Sequence, residues 1–161
     1  GMPNPLEKSD LGEIPVIHYR LGDKTKKFIH HKDFGGDGVV DPETFLKILK
    51  EAEVPPFVHL ISDSPEKATK LLEEVGIKIV EKSTKKSIWD DLWMMANTRL
   101  FIGSWSQVSQ LASIFVTSKG GKAYLPNNNQ QNTKIRWQCP GVTFKRYDYL
   151  KASHYIYQLG N

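Results

Sequence analysis

Residues 14–24 are IPVIHYRLGDK, and the rest of the chain is arranged around them. The apolar run of Ile14, Val16 and Ile17 leads into His18, Tyr19 and Arg20, and the chain then breaks at Gly22-Asp23. A short apolar run closed by a turn signal is the pattern of a strand buried on both faces, as in parallel sheets. The stretch therefore predicts a strand over about 14–20, ending in a tight turn. In open α/β sheets, ligands bind outside the carboxyl ends of the strands. His18, Arg20, Gly22, Asp23 and Lys24 are thus expected at the rim where a ligand sits. A guanidinium beside a glycine, where backbone can approach closely, suits a phosphate. The same residues equally allow Arg20 to pair with Asp23 in a solvated turn.

The rest of the chain extends this pattern. Asp41-Pro42 is a helix start, with Asp as the cap and Pro at the first helical position. Phe45, Leu46, Leu49 and Ala52 follow at helical spacing, and Pro55-Pro56 ends the element. Residues 57–61 (FVHLI) predict a second buried strand, running into Ser62-Asp63. Ser64 is expected to cap a helix opened by Pro65, with Ala68, Leu71, Leu72 and Val75 as its buried stripe and Gly76 as its stop. A short strand over 77–80 comes next, then a basic loop and a helix over 87–97. On that helix Asp91 falls beside Ile88, Leu92, Met95 and Ala96. A carboxylate there needs a partner or lines a site, unless it is a partly exposed acid on the helix flank. Its two methionines and two tryptophans read as packing residues. A fourth strand over 100–102 turns at Gly103-Ser104-Trp105-Ser106-Gln107 into a helix with a stripe of Val108, Leu111, Ala112, Phe115 and Val116. Serine hydroxyls and free N–H groups at a helix start favour an anion, although serines also cap helices for structural reasons. A fifth strand over 122–125, an exposed loop at 127–132, a last strand over 142–147 and a short helix over 149–158 complete the chain. Strands alternating with amphipathic helices predict an α/β fold: a doubly wound, mostly parallel, Rossmann-like sheet with helices on both faces. No repeat or internal boundary divides it, so residues 2–161 are expected to form a single domain. Gly1 before Met2 reads as a scar of tag removal.

Composition narrows the function classes. The chain has 161 residues and a net charge of +4. Lysines cluster at Lys24, Lys26 and Lys27, at Lys82, Lys85 and Lys86, and at Lys119 and Lys122, but no nucleic-acid-binding motif accompanies them. A small phosphorylated ligand accounts for this balance equally well. No apolar run reaches the roughly 20 residues a membrane span requires. The N-terminal segment is polar rather than leader-like, and Cys139 is the only cysteine. These features point to the cytoplasm and give no disulfide. His30, His31, Asp33 and Asp37 lack standard ligand spacing, so no metal site is expected. The two segments around residues 2–12 and 21–40 read as a loose lead-in and a long glycine-rich loop.

Three rim features occur in order: HYRLGD after the first strand, Ser62-Asp63 after the second, and DDLWMMANTRLFIGSWSQVSQLA from residue 90 onward. Together they resemble the fucosyltransferase superfamily, which includes the α-1,2, α-1,6 and protein O-fucosyltransferases. Those proteins carry an HxRRGD-like motif, a later S/T-D motif, and a D-L-x-x-M block running into F-I-x-x-S-x-x-S. The match covers about residues 14–116. The resemblance implies the donor-binding, C-terminal lobe of a GT-B glycosyltransferase, with a GDP-sugar, usually GDP-fucose, as donor substrate and no further cofactor. It implies that Arg20 holds the β-phosphate and that Arg20 and Asp23 are the catalytic residues. His18, Gly22, Asp23 and Lys24 would frame the nucleotide-sugar turn. Asp63 would support the site, Asp91 would contact the guanine, and Ser104, Ser106 and Gln107 would form the phosphate- and sugar-contacting helix start. The partners implied are the nucleotide sugar and a glycan acceptor.

The chain departs from the family pattern in three places. Leu21 stands where the second arginine of HxRRGD would be, and Phe28 stands near the place of a glutamate that some members carry. Only the donor lobe is matched, so an acceptor site would come from a partner chain or a second copy, unless the chain is a fragment or a non-catalytic relative. Three readings stay open: a fucosyltransferase-like enzyme, a nucleotide-sugar-binding module that performs no transfer, and an unrelated phosphate-handling α/β protein.

Overall fold

Among the described residues, six strands and four helices follow one another, alternating as far as β5. The computed structural model describes residues 11–21, 39–83, 87–104, 106–126 and 145–148. The elements are β1 (Val16–Tyr19), α1 (Pro42–Glu51), β2 (Phe57–Ser62), α2 (Pro65–Glu74), β3 (Lys78–Lys82), α3 (Ile88–Ala96), β4 (Leu100–Ile102), α4 (Gln107–Ser118), β5 (Lys122–Pro126) and β6 (Lys145–Tyr147). The strands form one sheet in the order β3-β2-β1-β4-β5-β6. Every described pair is parallel. Val16 of β1 lies between His59 of β2 and Phe101 of β4. The chain winds outward from β1 to β3, then returns and winds the other way from β4. The winding reverses between β1 and β4, the crevice where such sheets take ligands.

Alternation along β1 sends its side chains into two cores. Ile17 and Tyr19 pack with Phe45, Ile48 and Leu49 of α1 and with Ala68, Leu71 and Leu72 of α2. Val16 packs on the other face with Leu92 and Met95 of α3 and with Ala112 and Val116 of α4. Both faces are covered, which is why the strand is an apolar run rather than an alternating one. Each large apolar side chain buried here contributes about 1.5–3 kcal/mol. Tyr19 adds a hydrogen bond from its hydroxyl to the Val40 carbonyl and an edge-on contact with Phe45, with ring centroids 4.8 Å apart.

Helix ends follow the sequence signals with one exception. Asp41 accepts the Thr44 N–H at 3.1 Å, with Pro42 opening α1. Ser87 and Ser106 cap α3 and α4 through the N–H groups of Asp90 and Val108. Ser64 precedes α2 but makes no side-chain cap; its own N–H donates to Ser62 Oγ at 3.0 Å. Three helices stop in one pattern, in which the second residue past the cap bonds back to the third residue from the helix end. Val54 N–H reaches the Leu49 carbonyl, Ile77 the Leu72 carbonyl, and Gly121 the Val116 carbonyl. The residue before each of these has a positive φ: Glu53 at 57°, Gly76 at 90° and Gly120 at 90°.

Several expectations about packing are corrected. Trp89 and Trp93 are exposed rather than packed, and so is Ile88. Phe57 at the start of β2 and Val80 on β3, the outermost strand of the described sheet on that side, are also exposed. Leu111 is exposed as well; α4 meets the sheet through Ser109, Ala112, Ser113 and Val116. Ile48 is buried on α1 although it is absent from the expected stripe. Gly12 is not loose: it bridges Thr98, with N–H to the Asn97 carbonyl at 2.8 Å. The expected loop at 127–132, the helix over 149–158, the metal candidates at 30–37 and Cys139 lie outside the described residues. No helix among the described residues is long and apolar enough to cross a membrane.

Candidate functional site

The carboxyl ends of β1 and β4 lie side by side, and three short hydrogen bonds stitch them to their neighbours. The Arg20 N–H donates to Ser104 Oγ at 3.0 Å, tying the end of β1 to the turn that leads into α4. The Leu21 N–H donates to Asp63 Oδ1 at 2.9 Å, tying the same strand end to the end of β2. The third bond lies beneath these: His18 Nδ1 and Ser109 Oγ are 2.6 Å apart. Ser109 Oγ also accepts the Ser104 N–H at 3.2 Å. Successive residues of one strand end are therefore held by serines from α4 and its lead-in turn and by a carboxylate from β2.

Side-chain direction follows from strand alternation. Arg20 is exposed, and its guanidinium pairs with no carboxylate among the described residues. Its backbone is fixed while its charged fork is exposed, and a guanidinium is the side chain suited to bidentate phosphate contacts. Leu21 turns the other way and is buried in the core beside Tyr19 and Phe45. The position where the motif has a second arginine is thus an interior position in this chain. His18 is nearly buried, and burial lowers its pKa to about 4; Asp63 opposes that shift and Arg20 adds to it. The ring is neutral at physiological pH and works through hydrogen bonds rather than charge.

Gly103 sets how close α4 comes. A Cβ there would lie 2.8 Å from Ser109 Cβ and 2.9 Å from Leu125 Cδ2. The glycine allows the Ser104 turn to sit directly on α4, and its carbonyl accepts the Tyr147 hydroxyl from β6. Ser104 and Ser106 are buried and engaged in these bonds, whereas Gln107 is exposed at the first position of α4. The N-terminus of that helix carries a partial positive charge close to the Arg20 strand end.

The expected site residues are therefore brought together only in part. Arg20, Asp63 and Ser104 are joined directly by hydrogen bonds, and His18 joins them through Ser109. Ser106 caps the adjoining helix. Asp91 is half-buried on α3 and accepts a hydrogen bond from the Ser83 hydroxyl at the end of β3, so it belongs to the far side of the crevice from β4. Gly22, Asp23 and Lys24 lie outside the described residues. Ser109 is the residue that sequence reasoning missed. Its signal lay in the block from residue 90, where Ser106-Gln107-Val108-Ser109 carries the closing S-x-x-S pattern, but only the first of the two serines stands at the helix start. No three His, Cys, Asp or Glu side chains gather into a metal-binding group among the described residues.

No protein-family model matches the chain, and no curated protein matches it. Among solved structures, a crystal structure of POFUT1 in complex with GDP-fucose aligns with a TM-score of 0.46 and 11% sequence identity. The alignment covers 87% of this chain and 42% of that one, so this chain spans less than half the length of that structure.

Proposed function

We propose that the chain binds a nucleotide sugar across the ends of β1 and β4, with a GDP-sugar as the ligand class that its motifs imply. The observation that carries this reading is the exposed Arg20 guanidinium, paired with no carboxylate among the described residues, at the reversal point of a doubly wound sheet, its backbone pinned to Ser104. A diphosphate seated there would meet a permanent cation and the positive end of α4 together. Asp63 would act through the backbone, holding Leu21 rather than touching the ligand. Ser104 would do the same from the other side, and Gln107, exposed at the helix start, would contact the ligand. Asp91, with Asp23 and Lys24, completes the proposed set.

The finer reading is fucosyl transfer from GDP-fucose to a glycan. The ordered motifs favour it: HYRLGD, Ser62-Asp63 and the block from residue 90. In that reaction the bond from the anomeric carbon to the β-phosphate oxygen breaks, and negative charge grows on the departing GDP. Arg20 is the group available to stabilise that charge, and electrostatic stabilisation of this kind is often the largest catalytic contribution. The acceptor side of the reaction would come from outside these residues: a further part of a longer chain, a partner chain or a second copy.

Calorimetric titration with GDP-fucose, GDP-mannose, GDP and UDP-glucose, repeated on Arg20→Ala, tests both readings. Selective binding of the guanine ligands, lost in the variant, supports the site. Release of fucose from the donor, or its transfer to a glycan, supports the finer reading. Equal indifference to all four ligands overturns the proposal.

A further inference from the structure

Ser109 lies at the centre of the site's buried hydrogen bonds, yet the roles that the resemblance implies for this turn fall on Ser104, Ser106 and Gln107. Its side chain is fully buried, and its oxygen has two partners: His18 Nδ1 at 2.6 Å and the Ser104 N–H at 3.2 Å. A hydroxyl has one hydrogen to give and two lone pairs to receive with. The Ser104 N–H is a donor, so it takes a lone pair. If His18 Nδ1 also carried a hydrogen, the serine would accept twice and its own buried hydrogen would have no acceptor among the described residues. An unsatisfied buried donor costs about 1–3 kcal/mol, enough to decide a tautomer. The hydroxyl therefore donates to Nδ1, and the ring's hydrogen sits on Nε2. That nitrogen is not among the buried side-chain atoms without a partner, which are His59 Nδ1 and Thr69 Oγ1 among the described residues. It has no partner there either, so it keeps contact with solvent at the strand end.

We propose that Ser109 is a positioning residue of the strand-end site, fixing His18 as a neutral Nε2–H donor while holding the Ser104 turn against β1. This rests on the nucleotide-sugar reading for its purpose, but not for its geometry. A neutral N–H donor beside the Arg20 guanidinium suits an oxygen of a phosphate or a sugar hydroxyl, and it adds no second charge that would need compensation. The helix supports the arrangement. Ser113 Oγ donates to the Ser109 carbonyl at 2.8 Å, and the nearby Gly103 leaves room for the serine to reach the strand.

Two-bond proton–nitrogen NMR on the full chain labelled at histidine reads the tautomer directly. His18 is assigned by the signals lost in His18→Gln. In the wild type we expect a protonated Nε2 and an unprotonated Nδ1. In Ser109→Ala we expect a mixture of tautomers. GDP is then added to both. The Nε2 signal should move in the wild type, and affinity should fall about five- to tenfold in the variant, the worth of one neutral hydrogen bond. An Nδ1–H ring in the wild type overturns the proposal, and that measurement needs no variant to fold. An unchanged tautomer in a folded Ser109→Ala overturns it too. The expected tautomer, lost on substitution, together with no response to GDP would uphold the positioning role and overturn the nucleotide reading instead.

Discussion

Neighbouring residues of one strand end divide the work of fold and site. Arg20 is exposed and Leu21 is interior, so substitutions one position apart should behave oppositely. Arg20→Ala is expected to change the denaturation midpoint little and to abolish anion binding. Leu21→Arg, which restores the motif's second arginine in name, should gain no ligand contact. It should lower stability by about 3 kcal/mol or more by driving a charge into the apolar core, as urea denaturation would read. His18 offers a pH test. Its folded pKa of about 4 lies below the unfolded value of 6.5, chiefly because it is buried. Between those values the unfolded chain binds a proton that the folded chain does not. Stability from this group is complete above pH 6.5 and declines as pH falls toward 4, by about 3 kcal/mol in all. His18→Gln should flatten that part of the stability–pH curve, measured by denaturant midpoints at pH 4–7, while leaving the acid loss due to carboxylates.

Helix ends supply the test at the scale of elements. The three stops at Glu53, Gly76 and Gly120 share a hydrogen-bond pattern and a left-handed residue, but one of the three is not glycine. An L side chain in that conformation costs about 1–2 kcal/mol, partly offset because glycine loses more entropy on folding. Glu53→Gly should therefore raise stability by about 0.5–1 kcal/mol, and Gly76→Ala should lower it by about 1 kcal/mol, both read by urea titration. Gly103→Ala belongs to another class. Its φ is ordinary, but the added carbon would press on Ser109 and Leu125 and push α4 off the strand ends. A loss of about 1–3 kcal/mol is expected, accompanied by weaker GDP binding. The Gly76 and Glu53 variants should leave binding unchanged. Comparing the three by calorimetry separates damage to the site from damage to the fold.

For the molecule as a whole, a ligand that prefers the folded state should stabilise it. GDP at a hundred times its dissociation constant is expected to add about 2.7 kcal/mol, and nothing in Arg20→Ala, by thermal denaturation. Most of the architecture was legible in the sequence. Apolar runs such as residues 57–61, and caps such as Asp41-Pro42, state local preferences that the packed sheet also satisfies. The strand order was not legible, because periodicity does not record which strands adjoin. The exposed tryptophans of α3 were misread because an apolar side chain marks the core only on average. The face of α4 was read in part: Ala112 and Val116 are buried as expected, but Ser109 and Ser113 share that face, and a hydrophobic pattern passes over serines. Within the candidate site, the placement of Arg20, Asp63 and Ser104 at strand ends was readable. Ser109 was not, since its role depends on a contact with His18 across 91 residues of chain. That separation has a consequence for biosynthesis. β1 occupies the centre of the sheet, yet its partner β4 leaves the ribosome roughly 85 residues later, a wait of roughly 4–17 s at ordinary rates of translation. Until then the nascent strand has one bare edge and half its apolar surface uncovered. A chain stopped at Arg99 should accumulate in the insoluble fraction, and the 161-residue chain should depend on holding chaperones more than its size alone requires.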